Sequence, residues 1–266
     1  MKKIDCHVHL NSYDKSNPPE IDKRLKQLKE TMSEFNIDSA IIISSYLVNS
    51  HRPSTYDLIK LTESCDNLYI VAGFSVDSQS SNDFSNFRSW LKEGKIIGLK
   101  LYCGYEHYFP QDKKYKKVYE IAQEFDVPVL VHCGDTFSDS AKLKYAHPLN
   151  IDEIAVDNPG LKIIICHLGN PWILDCQEIL YKTKNVYADI SGLFCGVPTH
   201  AYKKMLVSKI KDLFNYVSPP HRVLFGTDWP ISDIGSYVNL VQKLGLSRRD
   251  LALLLHENVE KLFRLD

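Results

Sequence analysis

The chain has 266 residues, of which 44% are hydrophobic and 24% charged, and its formal net charge is −1. This balance is typical of a soluble globular protein and gives no reason to expect nucleic acid or an anionic membrane as a partner. The longest apolar runs, such as SAIIIS, have only the length of a strand, so no transmembrane helix is predicted. The N-terminus lacks the apolar stretch of a signal peptide, and we expect a cytoplasmic location.

Eight strand-like apolar runs alternate with segments of helical periodicity. The runs span residues 3–10, 39–45, 68–75, 96–102, 128–133, 161–167, 185–191 and 222–228. Several are apolar on both faces, which is typical of parallel strands covered by helices. Eight strand–helix units in about 250 residues predict a (β/α)8 TIM barrel. An open doubly wound sheet is the alternative, although no G-x-G-x-x-G motif follows any of the runs.

The segments between the runs have the spacing of amphipathic helices. A stripe recurs every three or four residues from Ile21 to Phe35, and Ser247 with Asp250 forms a capping pattern for the last helix. No linker or low-complexity stretch divides the sequence, so residues 1–266 are expected to form a single domain. The longest loops at the ends of strands, residues 11–19, 103–111 and 134–148, are expected to build the mouth of a pocket.

The first run contains the motif DCHVHL, which places His7 and His9 two residues apart. Alternate residues of a strand share a face, and a rise of about 3.3 Å per residue lets two such rings converge on one ion. The alternatives are an N-terminal tag scar and a pair of half-buried core histidines. The other strand ends decide between these interpretations.

Polar residues recur where later runs end. These residues are Lys100 on the fourth run, His132 on the fifth, His167 on the sixth and Asp228 on the eighth. Barrel enzymes carry their chemistry at the carboxyl ends of the strands. Because unpaired buried imidazoles and carboxylates are costly, four histidines and an aspartate at one mouth predict a shared metal ion.

The cysteines are expected to be structural. There are seven, with no C-x-x-C pair, which argues against a disulfide framework or a zinc ribbon. Cys6, Cys133 and Cys166 each adjoin a histidine in a strand-like run. Strand alternation would turn each sulfur away from its neighbouring imidazole and pack it beneath the helices, so we expect none of them to be a metal ligand.

The motifs together resemble the amidohydrolase superfamily, specifically its amidohydrolase-2 branch. They are DCHVHL, GLKLY, PVLVHCG, NPGLKIIICHLGNPW, VLFGTDWP and LLLHENVEKLF, which span nearly the whole chain. That branch includes relatives of aminocarboxymuconate-semialdehyde decarboxylase and pyrone-dicarboxylate lactonase. The resemblance implies a distorted barrel and one divalent ion, with zinc as the first choice and manganese as the alternative. It implies the ligands His7, His9, Asp228 and His132, with His167 close by.

This resemblance makes the expected activity that of a metal-dependent hydrolase. A metal-activated water would attack a small lactone, ester or amide that carries a carboxylate, with Asp228 as acid–base and His167 hydrogen-bonding the growing oxyanion. The alternative is non-oxidative decarboxylation of a small aromatic or unsaturated acid. Two other readings are an inactive metal-binding homologue and a phosphoesterase of the polymerase-and-histidinol-phosphatase type, to which the G-T-D-W-P ending is foreign.

Substrate contacts are predicted at the mouth. Lys100 should point into the barrel with Tyr102, either as an ammonium that pairs with a carboxylate or substrate anion or, alternatively, as a carboxylated bridge between two metals. Arg52 is the only arginine in an early loop. His107, Trp172 and Trp229 are further candidates for the wall of the pocket. The expected partner is a small-molecule substrate, and a homodimer is left open.

Overall fold

The computed structural model describes residues 1–14, 17–78, 83–217 and 220–265, and it contains one sheet of eight parallel strands. The strands are β1 (Ile4–Val8), β2 (Ser39–Ile43), β3 (Leu68–Phe74), β4 (Gly98–Leu101), β5 (Val129–Val131), β6 (Ile163–Ile165), β7 (Val186–Asp189) and β8 (Val223–Leu224). Each strand lies within its predicted run and pairs with the next strand along the chain. The predicted order of eight parallel strands is therefore confirmed.

The sheet closes on itself where the chain beyond β8 meets β1. The amide of Cys6 donates to the carbonyl of Phe225 at 2.9 Å, and the amide of Asp228 donates to the carbonyl of His7 at 2.7 Å. His9 donates to the carbonyl of Trp229 at 2.7 Å. These bonds make a barrel of the sheet and exclude the open doubly wound alternative.

Helices cover the outside of the barrel. They are α1 (Ile21–Phe35), α2 (Thr55–Thr62), α3 (Asp83–Lys92), α4 (Lys116–Glu124), α5 (Asn150–Asp157), α6 (Ile173–Lys182), α7 (His200–Tyr216), α8 (Ile234–Lys243), α9 (Arg248–Ala252) and α10 (Asn258–Phe263). The predicted stripe of α1 is buried at Leu25, Leu28 and Met32. Ser247 caps α9 by accepting from the amide of Asp250, as predicted. Across the described ranges, every helix falls short of the length and apolarity that a membrane span needs.

The last helix, α10, closes one end of the barrel. Its Val259, Leu262 and Phe263 pack into a cluster with inward-facing side chains of the strands, among them Ile4 and Ile41. Phe263 also approaches Gly98 at the start of β4. Because this is the amino end of the strands, α10 covers the barrel interior at that end.

Candidate metal centre

The carboxyl ends of the strands surround a small cavity of about 60 Å3. Its lining residues come from the strand ends and from the loops that follow them: His7, His9, Asn11, Tyr13, Ser45, Tyr46, Arg52, Lys100, Tyr102, Tyr105, His132, Phe137, His167, Asp228 and Ile231. The four predicted histidines, Asp228, Lys100 and Tyr102 therefore meet in one place. Each of the three predicted mouth loops contributes a side chain, although residues 15 and 16 lie outside the described residues.

A larger open groove of about 790 Å3 lies elsewhere, beside the N-terminal end of α1. Neither histidine nor cysteine occurs among its described lining residues. Its buried arginine, Arg24, already donates to the carbonyls of Leu10, Pro19, Ser50 and His51. The chemistry of the molecule is therefore concentrated in the smaller cavity.

Three buried side chains in the cavity point ligand atoms at one another. His9 Nε2 lies 3.3 Å from Asp228 Oδ1, and His7 Nε2 lies 3.9 Å from the same oxygen. Ligand atoms of the three residues all lie within 4.8 Å of one another. Such spacing suits atoms that share one ion through bonds of about 2.0–2.2 Å. We name this set the mouth position.

The hydrogen bonds of Nδ1 in His7 and His9 determine whether Nε2 of each ring presents a lone pair to the cavity. His7 Nδ1 lies 2.9 Å from Asp189 Oδ2, and His9 Nδ1 lies 2.7 Å from the carbonyl oxygen of Ile43. Both partners accept hydrogen bonds, so each Nδ1 carries the proton, and in a neutral ring each Nε2 presents a lone pair. Two lone pairs and the Asp228 oxygen thus face one another. A cation between them would remove this repulsion.

His7 gives the most direct evidence that the residues fit a metal ion. Its Nε2 is buried and lacks a hydrogen-bond partner within the described part of the chain. Burial, with a smaller effect of Lys100, lowers the pKa of His7 to about 3, so the ring is neutral near pH 7. Burial would raise the pKa of Asp228, but its interactions with the His9, His167 and His7 rings in their protonated form hold it well below its usual range. Imidazole nitrogens and a carboxylate are ligands that zinc and manganese both accept.

Asp189, at the end of β7, fixes the orientation of two histidines at once, and the sequence prediction missed it. Besides accepting from His7 through Oδ2, it accepts through Oδ1 from the amides of His167 (2.9 Å) and Ser191 (3.0 Å) and from the Ser191 hydroxyl. Burial would raise its pKa, but the facing His7 ring and these hydrogen bonds hold it well below its usual range. The available signal was its place as the carboxylate that ends the run NVYAD.

His167 is held in one tautomer through Ser191. The Ser191 hydroxyl donates to Asp189, so its oxygen is left to accept from His167 Nδ1 at 2.9 Å. Burial lowers the pKa of His167, which keeps the ring neutral. Its Nε2 therefore offers a lone pair in this tautomer, and the predicted role of His167 toward an oxyanion stays a prediction.

Left-handed backbone at two strand ends aims the catalytic candidates into the cavity. His167 has φ of 62° and Asp228 has φ of 66°. Such conformations cost non-glycine residues about 1–3 kcal/mol and are concentrated at functional sites. Gly192, with φ of 59°, makes room for them, because a Cβ there would lie 2.4 Å from His167 Nδ1 and 3.0 Å from Asp228 Oδ2.

The predicted orientation of the cysteines is confirmed for Cys133, which packs in the helix-facing core, but it is wrong for Cys6 and Cys166. Both belong to the cluster inside the barrel. On β1, three residue steps from Asp5 to Val8 match two steps on β2, so a bulge resets the alternation between Cys6 and His7. On β6 the strand ends at Ile165, and the left-handed turn brings His167 round to the side of Cys166.

The bulge in β1 has its own buried anchor, Asp5. Its carboxylate accepts from the amide of His7 at 3.1 Å and from the amide and hydroxyl of Thr227 at 3.0 and 2.6 Å. Burial raises the pKa of Asp5 to about 7. This residue joins the start of the barrel to its end beneath His7 and Asp228, and the sequence prediction did not single it out.

His132 and Lys100 lie in the cavity without joining the mouth position. The His132 ring is 5.0 Å from that of His167, and its Nε2 bonds the carbonyl of Asp135 at 3.0 Å. The described groups of three converging ligand atoms do not include it, so its role as a ligand stays a prediction. Lys100 is buried, and its ammonium donates to Cys166 Sγ at 2.8 Å rather than to a carboxylate. A carboxylated Lys100 stays a prediction too.

Aromatic rings form a wall of the cavity that contains the mouth position. The Tyr46 ring lies 5.0 Å from that of Tyr102 and 5.8 Å from that of Tyr105, and the guanidinium of Arg52 is 6.0 Å from the Tyr46 ring. Tyr13 and Phe137, from the loops after β1 and β5, meet edge to face at 5.7 Å. Of these aromatic residues, the sequence analysis named only Tyr102 individually as a candidate for the pocket.

Three predicted wall residues do not line the cavity. His107 bonds the carbonyl of Ser140 and stacks on Tyr145. Trp172 packs on His147 at 4.6 Å. Trp229 is buried in the helix-facing core. Loop residues have no fixed alternation, so their side-chain directions could not be predicted from their spacing.

Comparisons with known proteins identify the family of the chain. A family model described as amidohydrolase matches residues 4–265. Gamma-resorcylate decarboxylase of Rhodococcus jostii (strain RHA1) is 22% identical over 192 residues, which are 58% of this chain and 55% of that protein. The match thus spans about half the length of this curated relative.

Solved structures share the fold over the whole chain. A probable 2-pyrone-4,6-dicarboxylic acid hydrolase from Acinetobacter baumannii has a TM-score of 0.69 and 14% identity, covering 99% of this chain and 100% of that one. A 5-carboxyvanillate decarboxylase from Novosphingobium aromaticivorans, solved with bound manganese, has a TM-score of 0.73 and 12% identity, covering 99% and 97%. Together with the family match, the motifs and their convergence place the chain in the amidohydrolase family.

Proposed function

We propose that the protein is a divalent-metal-dependent enzyme that removes the carboxylate of a small planar acid without oxidation. The observation that carries the proposal is the wall of tyrosines with Arg52, which lines the same cavity as the mouth position. Flat aromatic faces favour a flat ring, and cationic side chains favour its carboxylate. The similarity to gamma-resorcylate decarboxylase supports the same substrate class.

His7, His9 and Asp228 would hold the ion. A divalent ion at this place would supply Lewis acidity to an oxygen of the substrate. The protein's own contribution is to keep these groups in position: Asp189 and the Ile43 carbonyl fix the two rings. Manganese and zinc both suit this set of ligands.

The two cations of the cavity have different settings. Arg52 lies in the loop after β2 beside Tyr46, at the outer wall, and can form two parallel hydrogen bonds to a carboxylate. Lys100 is buried inside the barrel, 5.4 Å from the ring centroid of Tyr102. We assign recognition of a substrate carboxylate to Arg52 and a general attraction for anions to Lys100.

Proton transfer falls to His167 and Asp228. Neutral His167 presents its Nε2 lone pair and can accept the proton of a substrate hydroxyl. Asp228 is ionised at rest, and its carboxylate can take up a proton and deliver it to the carbon that loses the carboxylate. The left-handed backbone and Gly192 keep both groups on the same side of the cavity.

Hydrolysis of a small lactone is the second candidate function. The neutral His167 suits it as well, because its lone pair can remove a proton from an attacking water. The similarity in fold to the probable 2-pyrone-4,6-dicarboxylic acid hydrolase makes this chemistry worth testing. Decarboxylation breaks the bond between a substrate carbon and its carboxylate, whereas lactone hydrolysis breaks the ester bond of the ring. The products therefore distinguish the two reactions.

The test is turnover in deuterium oxide with zinc- or manganese-loaded protein. The panel contains hydroxybenzoic acids, pyrone carboxylic acids and, as controls, phosphate esters. Decarboxylation releases carbon dioxide and puts one deuterium in place of the carboxylate, whereas lactone hydrolysis opens the ring, releases no carbon dioxide and leaves every carboxylate on its carbon. Turnover of phosphate esters alone would contradict both candidates. A fully metal-loaded protein that turns over nothing in the panel would favour an inactive homologue.

Arg52→Gln provides the matched variant. It should raise KM for the carboxylate substrate by about tenfold or more, because a charge-assisted pair contributes about 1.5–3 kcal/mol, and it should leave metal content unchanged. Arg88→Gln, at a surface ion pair with Glu124, is the control and should change neither value.

A further inference from the structure

We propose that Cys166 supplies a thiolate ligand to a second ion position that shares His7 with the mouth position, and that this makes the centre prefer thiophilic divalent ions over manganese. The second set consists of His7, Cys166 and His167, and we name it the inner position. The inference rests on the metal centre proposed above and adds a residue that the amidohydrolase motifs do not point to.

The inner position has the geometry of a ligand set. A ring nitrogen of His7, the Cys166 sulfur and a ring nitrogen of His167 all lie within 4.8 Å of one another, and all three residues are buried. His7 and His167 each have Nδ1 engaged, with Asp189 and Ser191 respectively, so their Nε2 atoms are the ones available. Two imidazole nitrogens and a sulfur are a usual ligand combination for zinc.

The two positions exclude each other because they share one atom. His7 has a single available nitrogen, Nε2, because its Nδ1 is bonded to Asp189, and we assign this nitrogen to both sets. One ion can therefore use His9 and Asp228 on one side of His7, or Cys166 and His167 on the other. The centre is one site with two alternative settings rather than a two-metal site.

Ligand chemistry decides which ion takes which setting. Carboxylate oxygens suit manganese, whereas thiolates select zinc and other soft or borderline ions. A manganese ion should therefore stay at the mouth position with Asp228. A zinc or cobalt ion should be drawn toward Cys166.

The neighbouring Lys100 favours a negative charge on the Cys166 sulfur when an ion is bound. Its ammonium donates to Cys166 Sγ at 2.8 Å, so an ion at the inner position would stand near a second positive charge. A thiolate between the two charges removes that repulsion. On binding, the sulfur–hydrogen bond breaks, a sulfur–metal bond forms and one proton leaves through the cavity to solvent.

Cobalt(II) is the probe for the test, because its spectrum reports directly on sulfur ligation. The wild-type chain, stripped of metal and reloaded with cobalt, should show a near-ultraviolet thiolate-to-cobalt charge-transfer band. Cys166→Ser should lose this band. In competition experiments the same variant should lower the preference for zinc over manganese by about tenfold or more, as for other changes that weaken support of a metal site.

Cys133→Ser is the matched control. Cys133 also adjoins a cavity histidine and is buried, but it packs in the helix-facing core. Its variant should keep both the band and the metal preference. Loss of the band in both variants would mean that it reports on folding, and it would overturn the assignment to Cys166.

X-ray absorption of the wild-type zinc protein keeps the test independent of any variant. One sulfur scatterer at about 2.3 Å is expected. A protein that binds zinc through nitrogen and oxygen alone overturns the inner position and leaves the mouth position standing. A protein that takes up no divalent ion overturns the metal centre as well, so the two failures are distinguishable.

Discussion

The barrel interior has a lower half, next to α10, and an upper half, at the carboxyl ends of the strands. The same strands build both halves, but the two are stabilised differently. Near α10 the inward side chains are apolar, as at Leu130 on β5 and Ile164 on β6. Two residues further along the same faces stand His132 and Cys166, and the interior becomes polar. Because residues two apart on a strand share a face, the next inward residue after each of these apolar side chains already belongs to the polar cavity.

The difference lies in how each half is stabilised. Burial of apolar surface has no direction, so the lower half depends on volume, with about 1.5–3 kcal/mol for each large aliphatic side chain. In the upper half each polar atom needs a particular partner, and the networks through Asp189 and Asp5 supply them. Substitutions that keep the shape of a side chain should therefore affect activity, stability or metal affinity strongly in the upper half and only weakly in the lower half.

Asp228→Asn should produce the largest effect on the upper half. The amide keeps the shape of the carboxylate but cannot take up and deliver a proton, so kcat should fall by about 10²–10⁴-fold. The fold and much of the metal should remain, since a carbonyl oxygen can still ligate weakly. Turnover and metal content are to be measured on one preparation. Near-normal turnover with metal retained would assign proton transfer to His167 alone.

Gly192→Ala should come next, through stability. The new Cβ would add a clash with His167 to the cost of a left-handed alanine, together about 2–4 kcal/mol of the free energy of unfolding. Gly196→Ala is the control, because Gly196 has φ of 60° and nothing within 4 Å of its Cβ position. It should cost only about 1 kcal/mol. Urea denaturation of both variants in chelator measures the difference, and equal costs would show that the clash has no effect.

Asp189→Asn should weaken the centre without removing a ligand. The amide would place a donor among the donors that now bond the carboxylate, namely the His7 ring, two backbone amides and the Ser191 hydroxyl. Metal affinity should fall by about 10–100-fold, as for other partners of ligating histidines. Asp152→Asn, at an exposed pair with Lys182, is the control and should leave affinity unchanged. A chelator competition assay that finds no difference between the two variants would contradict the role of Asp189.

The regular part of the molecule could be predicted from the sequence, because it follows from repeated periods. Strand runs and helix stripes gave the barrel, and parallel strands bring their carboxyl ends together whatever the loops do. That is why His7, His9, His132, His167 and Asp228 could be expected in one cavity. The family match and the shared fold confirm the family and the architecture.

The predictions were wrong where the chain departs locally from those periods. A bulge in β1 and a left-handed turn after β6 placed Cys6 and Cys166 inside the barrel, and no residue type in either stretch announces such a departure. The role of Asp189 could not be predicted from the sequence either, because it depends on donors from other parts of the chain. Loop aromatics follow no period, which is why Trp172 and Trp229 were expected in the cavity and Tyr46 was not.

The smallest effect should come from the lower half, with Ile164→Val. The change removes one methylene group from the interior cluster, which includes α10, and should lower the free energy of unfolding by about 0.5–1.5 kcal/mol. Ile165→Val, next to it but facing the helices, is the control and should cost a similar amount. Because neither side chain bonds a polar atom of the cavity, metal affinity should stay within about twofold in both, given that a site responds by tenfold or more only when its direct supports change. Urea denaturation and chelator competition provide the two measurements. A tenfold loss of affinity in Ile164→Val alone would show that apolar packing positions the metal ligands, and the sharp division between the two halves would then have to be abandoned.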